Sequence, residues 1–518
     1  MMITIVMSTA LHGLEGQIVA VEVDVSRGLP SFDLVGLPDT AVREAKDRVR
    51  AAIKNSGFEF PVKRITVNLA PADIKKEGPI YDLPIAVGIL AATGQVDPAR
   101  CSPFAFLGEL SLSGSVRGIT GALPNTIAAM EAGLSGIVVP AENAGEAALV
   151  EGINVYPAIS ISEIVRFLRG ENTLQPCRGS ISLVNGAQTW EDGDFAEVKG
   201  QQAAKRALEI AAAGGHNLIM IGSPGSGKTM LARRLPGIMP ELTFPEALEI
   251  TKIHSLAGLI QSTQPLVNKR PFRSPHHTAS TASITGGGRI PKPGEVSLAH
   301  LGVLFLDEMP EFRKDALEAL RQPLEDGVIT IARVSATINY PAGMMLVAAC
   351  NPCPCGYYGD AGRECRCTAY QVERYLSRIS GPLLDRIDIH IEVPRLAYSE
   401  ISSGSAGDNS QTIKSRVEAA REHLRERFSG GAPENQKQYL IAAGNARLSG
   451  TVLKDHCKTT KQAANLLQEA FNALALSARS YDRVLKVART IADLSGASLI
   501  EEAHIAEALQ YRSLDRTY

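Results

Sequence analysis

Gly222, Ser223, Pro224, Gly225, Ser226, Gly227, Lys228 and Thr229 follow the apolar run "NLIMI" and lead into a helical pattern. Glycines at this spacing let successive backbone N–H groups converge on phosphate oxygens, and the helix behind them adds its positive N-terminal end. In such a loop Lys228 reaches the β- and γ-phosphates of a nucleotide and Thr229 ligates its magnesium. Farther along, "GVLFLDEM" is an apolar strand ending in Asp307 and Glu308. It offers one acid to the metal and its neighbour to the attacking water. Each motif alone has a plain structural reading, a glycine turn or a strand that ends in acids. Together they specify ATP hydrolysis. A third apolar run, "GMMLVAAC", ends at Asn351, a polar tip suited to orienting the hydrolytic water. Arg386 closes a helical stretch in "RYLSRISGPLLDRIDIHIEV", from where an arginine reaches a neighbouring subunit's γ-phosphate.

Between Asn351 and Arg386 stand Cys353, Cys355, Cys365 and Cys367, two Cys-x-Cys pairs flanking a glycine-containing loop. Four thiolates match the ligand number of tetrahedral zinc and leave no position for water, so a metal here would be structural. Reduced cysteines in an ordinary loop, and disulfides, are the alternatives. The stretch from Gln261 to Gly294 holds Lys269, Arg270, Arg273, Arg289 and Lys292, sets His276-His277 among hydroxyls, and contains no acid. It reads either as a solvated loop or as a glycine-hinged arm that meets the phosphates of DNA.

Positioning these groups takes more than one core. A chain of 518 residues suggests about three domains. Hydrophobic content of 45% with 21% charged residues is ordinary for a globular protein, and no run approaches the roughly 18 apolar residues that cross a bilayer. The opening "MMITIVMSTALHGLEG" lacks a basic n-region and reads as a first strand, so a cytoplasmic protein is expected, with no membrane partner. With 53 basic and 55 acidic side chains the net charge is −2, which excludes coating nucleic acid by bulk charge. DNA contacts would have to come from local loops. Eight cysteines in so long a chain argue against a disulfide framework.

Residues 1–168 mix alternating strands, "QIVAVEVDV" and "RITVNL", with the helical pattern "DTAVREAKDRVRAAIKNSG", whose Val42, Val49 and Ile53 share a face. An α+β domain is expected there. Residues 169–193 are turn-rich and read as a linker. Residues 194–396 alternate apolar strands with helices, the pattern of a parallel α/β layer. Residues 397–518 turn all-helical, with Ile413, Val417, Ala420, Leu424 and Phe428 at helical spacing.

"GSPGSGKT", "PFRSPHHTAS", "PGEVSLAHLGVLFLDEMPEF", "NPCPCGYYGD" and "RYLSRISGPLLDRIDIHIEV" together resemble the YifB/ComM family of magnesium-chelatase-like AAA+ ATPases, and the resemblance runs over essentially the whole chain. It implies the α/β fold class: an AAA+ P-loop parallel-sheet core, an N-terminal α+β Lon-protease-like domain of the ribosomal S5 domain 2 type, and a C-terminal helical lid. It also implies ATP and Mg2+ as cofactors and a homo-oligomeric ring, a hexamer. By position Lys228 and Thr229 are Walker A, Asp307 and Glu308 Walker B, Asn351 sensor 1 and Arg386 the arginine finger. In "LSARSYDRVLKVARTIADL" Arg479 is sensor 2, with Arg483 the alternative. The family's best-described activity is ATP-driven branch migration of DNA. On that reading branched or single-stranded DNA lies in a central channel, faced by the 261–294 stretch and by the hairpin "VITIARVSATINY" with Arg333 near its tip. The alternative is a protein-remodelling motor similar to the magnesium-chelatase motor subunit.

"KKEGPIYDLPIAVGILAATG" and "GELSLSGSVRGITGALPNTIAAMEAG" resemble the proteolytic domain of Lon. That enzyme places a serine nucleophile and a lysine base where this chain has Ile80 and Pro124. Neither can run dyad chemistry, so no protease is expected. A substitute pairing of Lys75 or Lys76 with Ser111 or Ser113 is read as structural.

Overall fold

The computed structural model describes residues 3–171, 174–177, 193–288, 291–333, 336–360, 362–396, 407–428, 441, 444–474 and 476–512, except the side chains at 333 and 336. Most of the 169–193 linker stretch, Arg289 and the side chain of Arg333 lie outside the described residues. Two compact units form: Met1–Val184 with Phe244–Asn268, and Asn185–Thr243 with Lys269–Tyr518.

The first unit is built on a seven-stranded mixed sheet. Its strands are β1 (Thr4–His12), β2 (Glu15–Ser26), β3 (Ser31–Val35), β4 (Arg64–Ala70), β5 (Phe104–Phe106), β6 (Gly136–Pro140) and β7 (Asn154–Ala158), in the order β3-β4-β2-β1-β5-β6-β7. Antiparallel pairing of β1 with β2 and of β2 with β4 puts Val19, Val21 and Val23 on one face with Ile65, Val67 and Leu69, all buried. Period-two alternation in the sequence therefore becomes a core face. Against that face lie α1 (Ala45–Asn55), which buries Val49 and Ile53, and α2 (Asp82–Ala92), which is buried almost throughout. The helix α3 (Ala122–Glu131) packs beside Gly16 of β2, where a Cβ would meet Pro124 and Ala128.

The segment Phe244–Asn268 is sequence-distant from this unit yet belongs to it. Its helix, Phe244–Leu256, is held by the buried Glu146, whose carboxylate accepts both the Ser255 hydroxyl and the Leu123 N–H, the latter at 2.9 Å. Gly121 N–H adds a 3.2 Å bond to the Ser255 carbonyl. The chain thus passes from the second unit into the first and back again.

In the second unit five strands form an all-parallel sheet: β8 (Leu218–Ile221), β9 (Phe272–Arg273), β10 (Val303–Leu306), β13 (Met345–Cys350) and β14 (Ile389–Glu392), with β11 (Val328–Arg333) and β12 (Ala336–Pro341) making a separate hairpin. The order is β9-β10-β13-β8-β14. Continuous apolar runs suit strands covered on both faces, and every residue of β10 and β13 is buried. Register does the positioning. Ile221 pairs with Cys350 and Leu306 with Ala348, so Gly222, Asp307 and Asn351 leave neighbouring strands at one edge of the sheet. Parallel α/β sheets carry their ligands at that carboxyl edge.

Helices α4 (Gln202–Gly214) and α5 (Lys228–Ile238) pack with the sheet, and α6 (Ala369–Leu376) follows the cysteine segment. The C-terminal part is helical, with α7 (Ser410–Phe428), α8 (Ala478–Leu494) and α9 (Glu502–Gln510) its longest members beside Lys461–Ala473. Ile413, Val417, Ala420, Leu424 and Phe428 all face the core, as their spacing predicts. A buried polar joint ties these helices to the sheet. Asp388, just before β14, receives Arg483 of α8 and lies 3.3 Å from His216, whose other ring nitrogen sits 2.7 Å from Thr490 Oγ1. Burial opposes the ionised Asp388, yet the Arg483 charge and the His216 contact hold its carboxyl well below the usual range. Among the described residues no helix is long and apolar enough to cross a membrane.

Candidate functional site

The loop between β8 and α5 takes its shape from two glycines in left-handed conformation, Gly225 at φ +79° and Gly227 at φ +95°, which side chains disfavour. A glycine loop on such a path, leading into a helix, turns first-turn backbone N–H groups toward one point. Lys228 is 8% exposed, and its ammonium donates to the carbonyls of Gly222 (2.6 Å) and Ser223 (3.0 Å) and to Asn351 Oδ1 (3.4 Å). Burial pushes the Lys228 ammonium below its ordinary range, against the opposing charges of Asp307 and Glu308. Thr229 Oγ1 donates to Asp307 Oδ2 at 2.9 Å. The Ser226 hydroxyl is buried with no protein partner, a donor that a phosphate oxygen satisfies. Convergent N–H groups, a buried amine, an orphaned hydroxyl and a hydroxyl–carboxylate pair together fit a nucleotide phosphate chain with its divalent ion.

Glu308 adopts φ +52°, which turns its side chain, 53% exposed, away from the core. His277 Nδ1 stands 3.8 Å from Glu308 Oε2, and the rings of His276 and His277 lie 4.1 Å apart. No local pattern signals that this His pair meets the strand that ends at Asp307.

Arg386 is buried. Its guanidinium pairs with Glu325 and donates to the Pro382 carbonyl at 2.7 Å. The Glu325 carboxyl is drawn below its usual range by the Arg386 bond, with the charges of Arg386, Arg479 and Arg483 acting in the same direction. Arg479 itself is exposed at the start of α8, whereas Arg483 is engaged with Asp388.

The cysteine segment starts directly after Asn351 and lies over the phosphate loop. Cys353, Cys355, Cys365 and Cys367 are all free, and their four sulfurs fall within 4.8 Å of one another. From the same segment Asp360 accepts the Ser223 hydroxyl, a contact invisible in the sequence pattern.

The basic candidates for DNA contact separate. Arg270 donates to the carbonyls of Pro240 (2.5 Å), Leu301 (2.7 Å) and Glu241 (3.3 Å), so its guanidinium braces backbone. Arg273 forms a two-pronged pair with Glu295 at 2.7 and 2.9 Å. The basic stretch reads as a solvated loop or as a phosphate-meeting arm, and in the fold these two arginines donate to carbonyls and to Glu295 inside the unit. Lys292 is exposed on a two-residue strand. Arg333 ends β11, and Arg289 lies outside the described residues.

In the first unit Ile80 and Pro124 are buried core residues at the Lon-like positions. Lys76 donates to the Pro71 carbonyl, Lys75 pairs with Glu77 at 2.5 Å, and Ser111 shares bonds with Ser113 (2.9 Å) and Ser115 (2.5 Å). No hydrogen bond joins these lysines to these serines among the described residues.

Three family models match the chain: subunit ChlI of Mg-chelatase over residues 21–143, magnesium chelatase, subunit ChlI over 194–401, and the magnesium chelatase subunit ChlI C-terminal model over 407–512. The competence protein ComM of Haemophilus influenzae is 46% identical, with 100% of this chain and 98% of that protein covered. The uncharacterized protein YifB of Escherichia coli is 44% identical with the same coverage, 100% and 98%. The magnesium-chelatase 67 kDa subunit of Chlorobaculum parvum is 27% identical over 164 residues, 30% of this chain and 23% of that one. With its parallel-sheet core, its helical C-terminal part and relatives alike from end to end, the chain belongs to the YifB/ComM family of magnesium-chelatase-like AAA+ ATPases.

Proposed function

We propose that the chain is an ATP-hydrolysing ring motor that acts on DNA, with branch migration or helicase action as its work. The observation that carries the ATPase half is the Thr229–Asp307 bond of 2.9 Å, with Glu308 next in the chain and the Lys228 amine buried beside it. The glycine loop and Lys228 bind the β- and γ-phosphates, and Thr229 and Asp307 hold magnesium. Magnesium, when bound, neutralises charge on the phosphoryl oxygens. Glu308 accepts the proton of the attacking water and Asn351 orients that water. Arg386, released from Glu325, acts on the nucleotide of a neighbouring subunit, and Arg479 acts as sensor 2. Four cysteines hold a structural zinc ion.

This reading calls for a cytoplasmic homo-oligomeric ring, a hexamer, whose Lon-like domain spans 1–168, whose ATPase core spans 194–396 and whose lid spans 397–518. Ile80 and Pro124 in place of a serine and a lysine support a domain that does not cleave proteins. The DNA half is supported by end-to-end identity to a protein named for competence and by the exposed Lys292 and the Arg333 end of the β11–β12 hairpin. A protein-remodelling motor is the second reading, favoured by the chelatase-subunit models. Binding to a labelled four-way junction across a salt series separates the two. Affinity that falls linearly on a log–log plot as salt rises supports DNA as substrate. Failure to bind any DNA at low salt leaves the protein-remodelling reading.

A further inference from the structure

The sulfurs of Cys353 and Cys355 lie 3.4 Å apart, those of Cys353 and Cys365 3.7 Å, and those of Cys355 and Cys365 3.6 Å. A tetrahedral ion with metal–sulfur bonds of about 2.3 Å sets its sulfurs about 3.8 Å apart. The cluster therefore has the dimensions of a single-ion site. Four thiolates in that geometry select zinc, since a multi-iron cluster spreads its cysteine sulfurs farther apart. All four are provided by one short segment, so the ion closes a loop from Gly356 to Glu364 between the two cysteine pairs.

That loop touches the phosphate loop at two places. Gly356, at φ +84°, lies so close to Pro224 that a Cβ would come within 2.7 Å of its ring. Asp360 accepts the Ser223 hydroxyl with one carboxylate oxygen, and its other oxygen accepts the N–H groups of Gly362 (2.8 Å) and Arg363 (3.0 Å). Arg363 in turn donates to the Tyr357 hydroxyl at 2.8 Å and stacks its guanidinium over that ring. Asp360 is thus fixed from inside the loop before it reaches Ser223. Among its described residues the loop has no helix or strand to keep that shape, and a metal clip at its base supplies the missing constraint.

We infer that the four cysteines bind one zinc ion and that the clipped loop braces the phosphate loop through Asp360, making nucleotide affinity depend on the metal. Asp360 is a positioning residue, acting on the nucleotide through Ser223. The inference rests on the reading of Gly222–Thr229 as the ATP site. The test uses the full chain after zinc-replete expression, with metal per chain by mass spectrometry, affinity for a fluorescent ATP analogue, and the KM and kcat of hydrolysis. Wild type carries one zinc. Asp360→Asn keeps the zinc and the melting temperature but binds the analogue roughly ten- to a hundredfold more weakly, the worth of one hydrogen bond to a charged group. Its KM rises while kcat at saturating ATP holds. Cys365→Ser with Cys367→Ser loses the zinc and at least the same affinity. Wild type without stoichiometric zinc, or with iron in its place, overturns the metal assignment. Stoichiometric zinc with wild-type affinity in Asp360→Asn overturns the brace alone. Unimpaired analogue binding by Lys228→Ala overturns the ATP-site reading underneath both.

Discussion

Thr229 Oγ1 donates to Asp307 Oδ2 at 2.9 Å although the two are 78 positions apart, because β8 and β10 flank β13 in one parallel sheet. The bond joins the first turn of α5 to the tip of β10 and sets the acid against the glycine loop. Lys228→Ala removes the buried amine and is expected to abolish ATP binding. Glu308→Gln leaves the phosphate contacts intact, so it is expected to bind ATP normally and hydrolyse it at least about a hundredfold more slowly, the usual share of a general base. Equilibrium binding and steady-state turnover on the same preparations check both. Near wild-type turnover in Glu308→Gln would sink the assignment.

Arg386 is paired with Glu325 within its own chain, so a role on a neighbour's nucleotide requires that pair to exchange. Arg386→Ala is expected to spare nucleotide binding by single chains and to lower turnover of the assembled ring on the order of a thousandfold, as for other arginine fingers. Mixing Arg386→Ala with Lys228→Ala chains should restore part of the turnover. Mixed rings that form but show no recovery at any ratio count against action between subunits.

Arg270 and Lys292 were alike as sequence signals and differ in the fold. Removing Arg270 strands three backbone carbonyls, so Arg270→Ala should cost about 1–3 kcal/mol of stability and leave the salt dependence of DNA binding unchanged. Lys292→Ala should do the reverse, keeping the melting temperature and flattening the salt slope by about one unit. Thermal melts and a salt titration of junction binding read the two effects apart. An unchanged slope in Lys292→Ala removes that lysine from the DNA surface.

What could be read from sequence was what is local along the chain. The glycine loop, its helix and the strand ending in Asp307-Glu308 each carry their signal within a few residues, and the 3.6-residue period of α7 announces its buried face. Pairings that only the fold creates were not legible. Glu325 meets Arg386 across 61 positions and Asp360 meets Ser223 across 137. Nor does any pattern in Phe244–Asn268 say that a segment after the phosphate-loop helix packs with Glu146 in the first unit. The basic stretch around Arg270 left a solvated loop and a phosphate-meeting arm both open for a physical reason: a guanidinium satisfies carbonyls as readily as phosphates, and composition does not distinguish them.

His390 on β14 is buried, and burial, with the Arg512 charge adding to it, pushes its imidazolium down to about 3. Its folded value thus lies below the unfolded one of about 6.5. The unfolded chain therefore binds the extra proton, and stability is complete above about pH 6.5 and falls as pH drops, by up to about 1.4 kcal/mol per unit. Denaturant unfolding followed from pH 7 to pH 5 should show a shallower loss in His390→Phe than in wild type. Equal slopes would show that His390 ionises freely in the folded state.

Following ATP turnover and junction processing in one sample shows whether ATP hydrolysis at this site drives work on DNA. Wild type and Glu308→Gln are compared with single-stranded, duplex and four-way-junction DNA. Wild-type turnover is expected to rise with DNA, most with the junction, and the junction to be resolved into its products only in wild type with ATP. Robust wild-type turnover that no DNA stimulates, with the junction left intact, would contradict a motor that works on DNA.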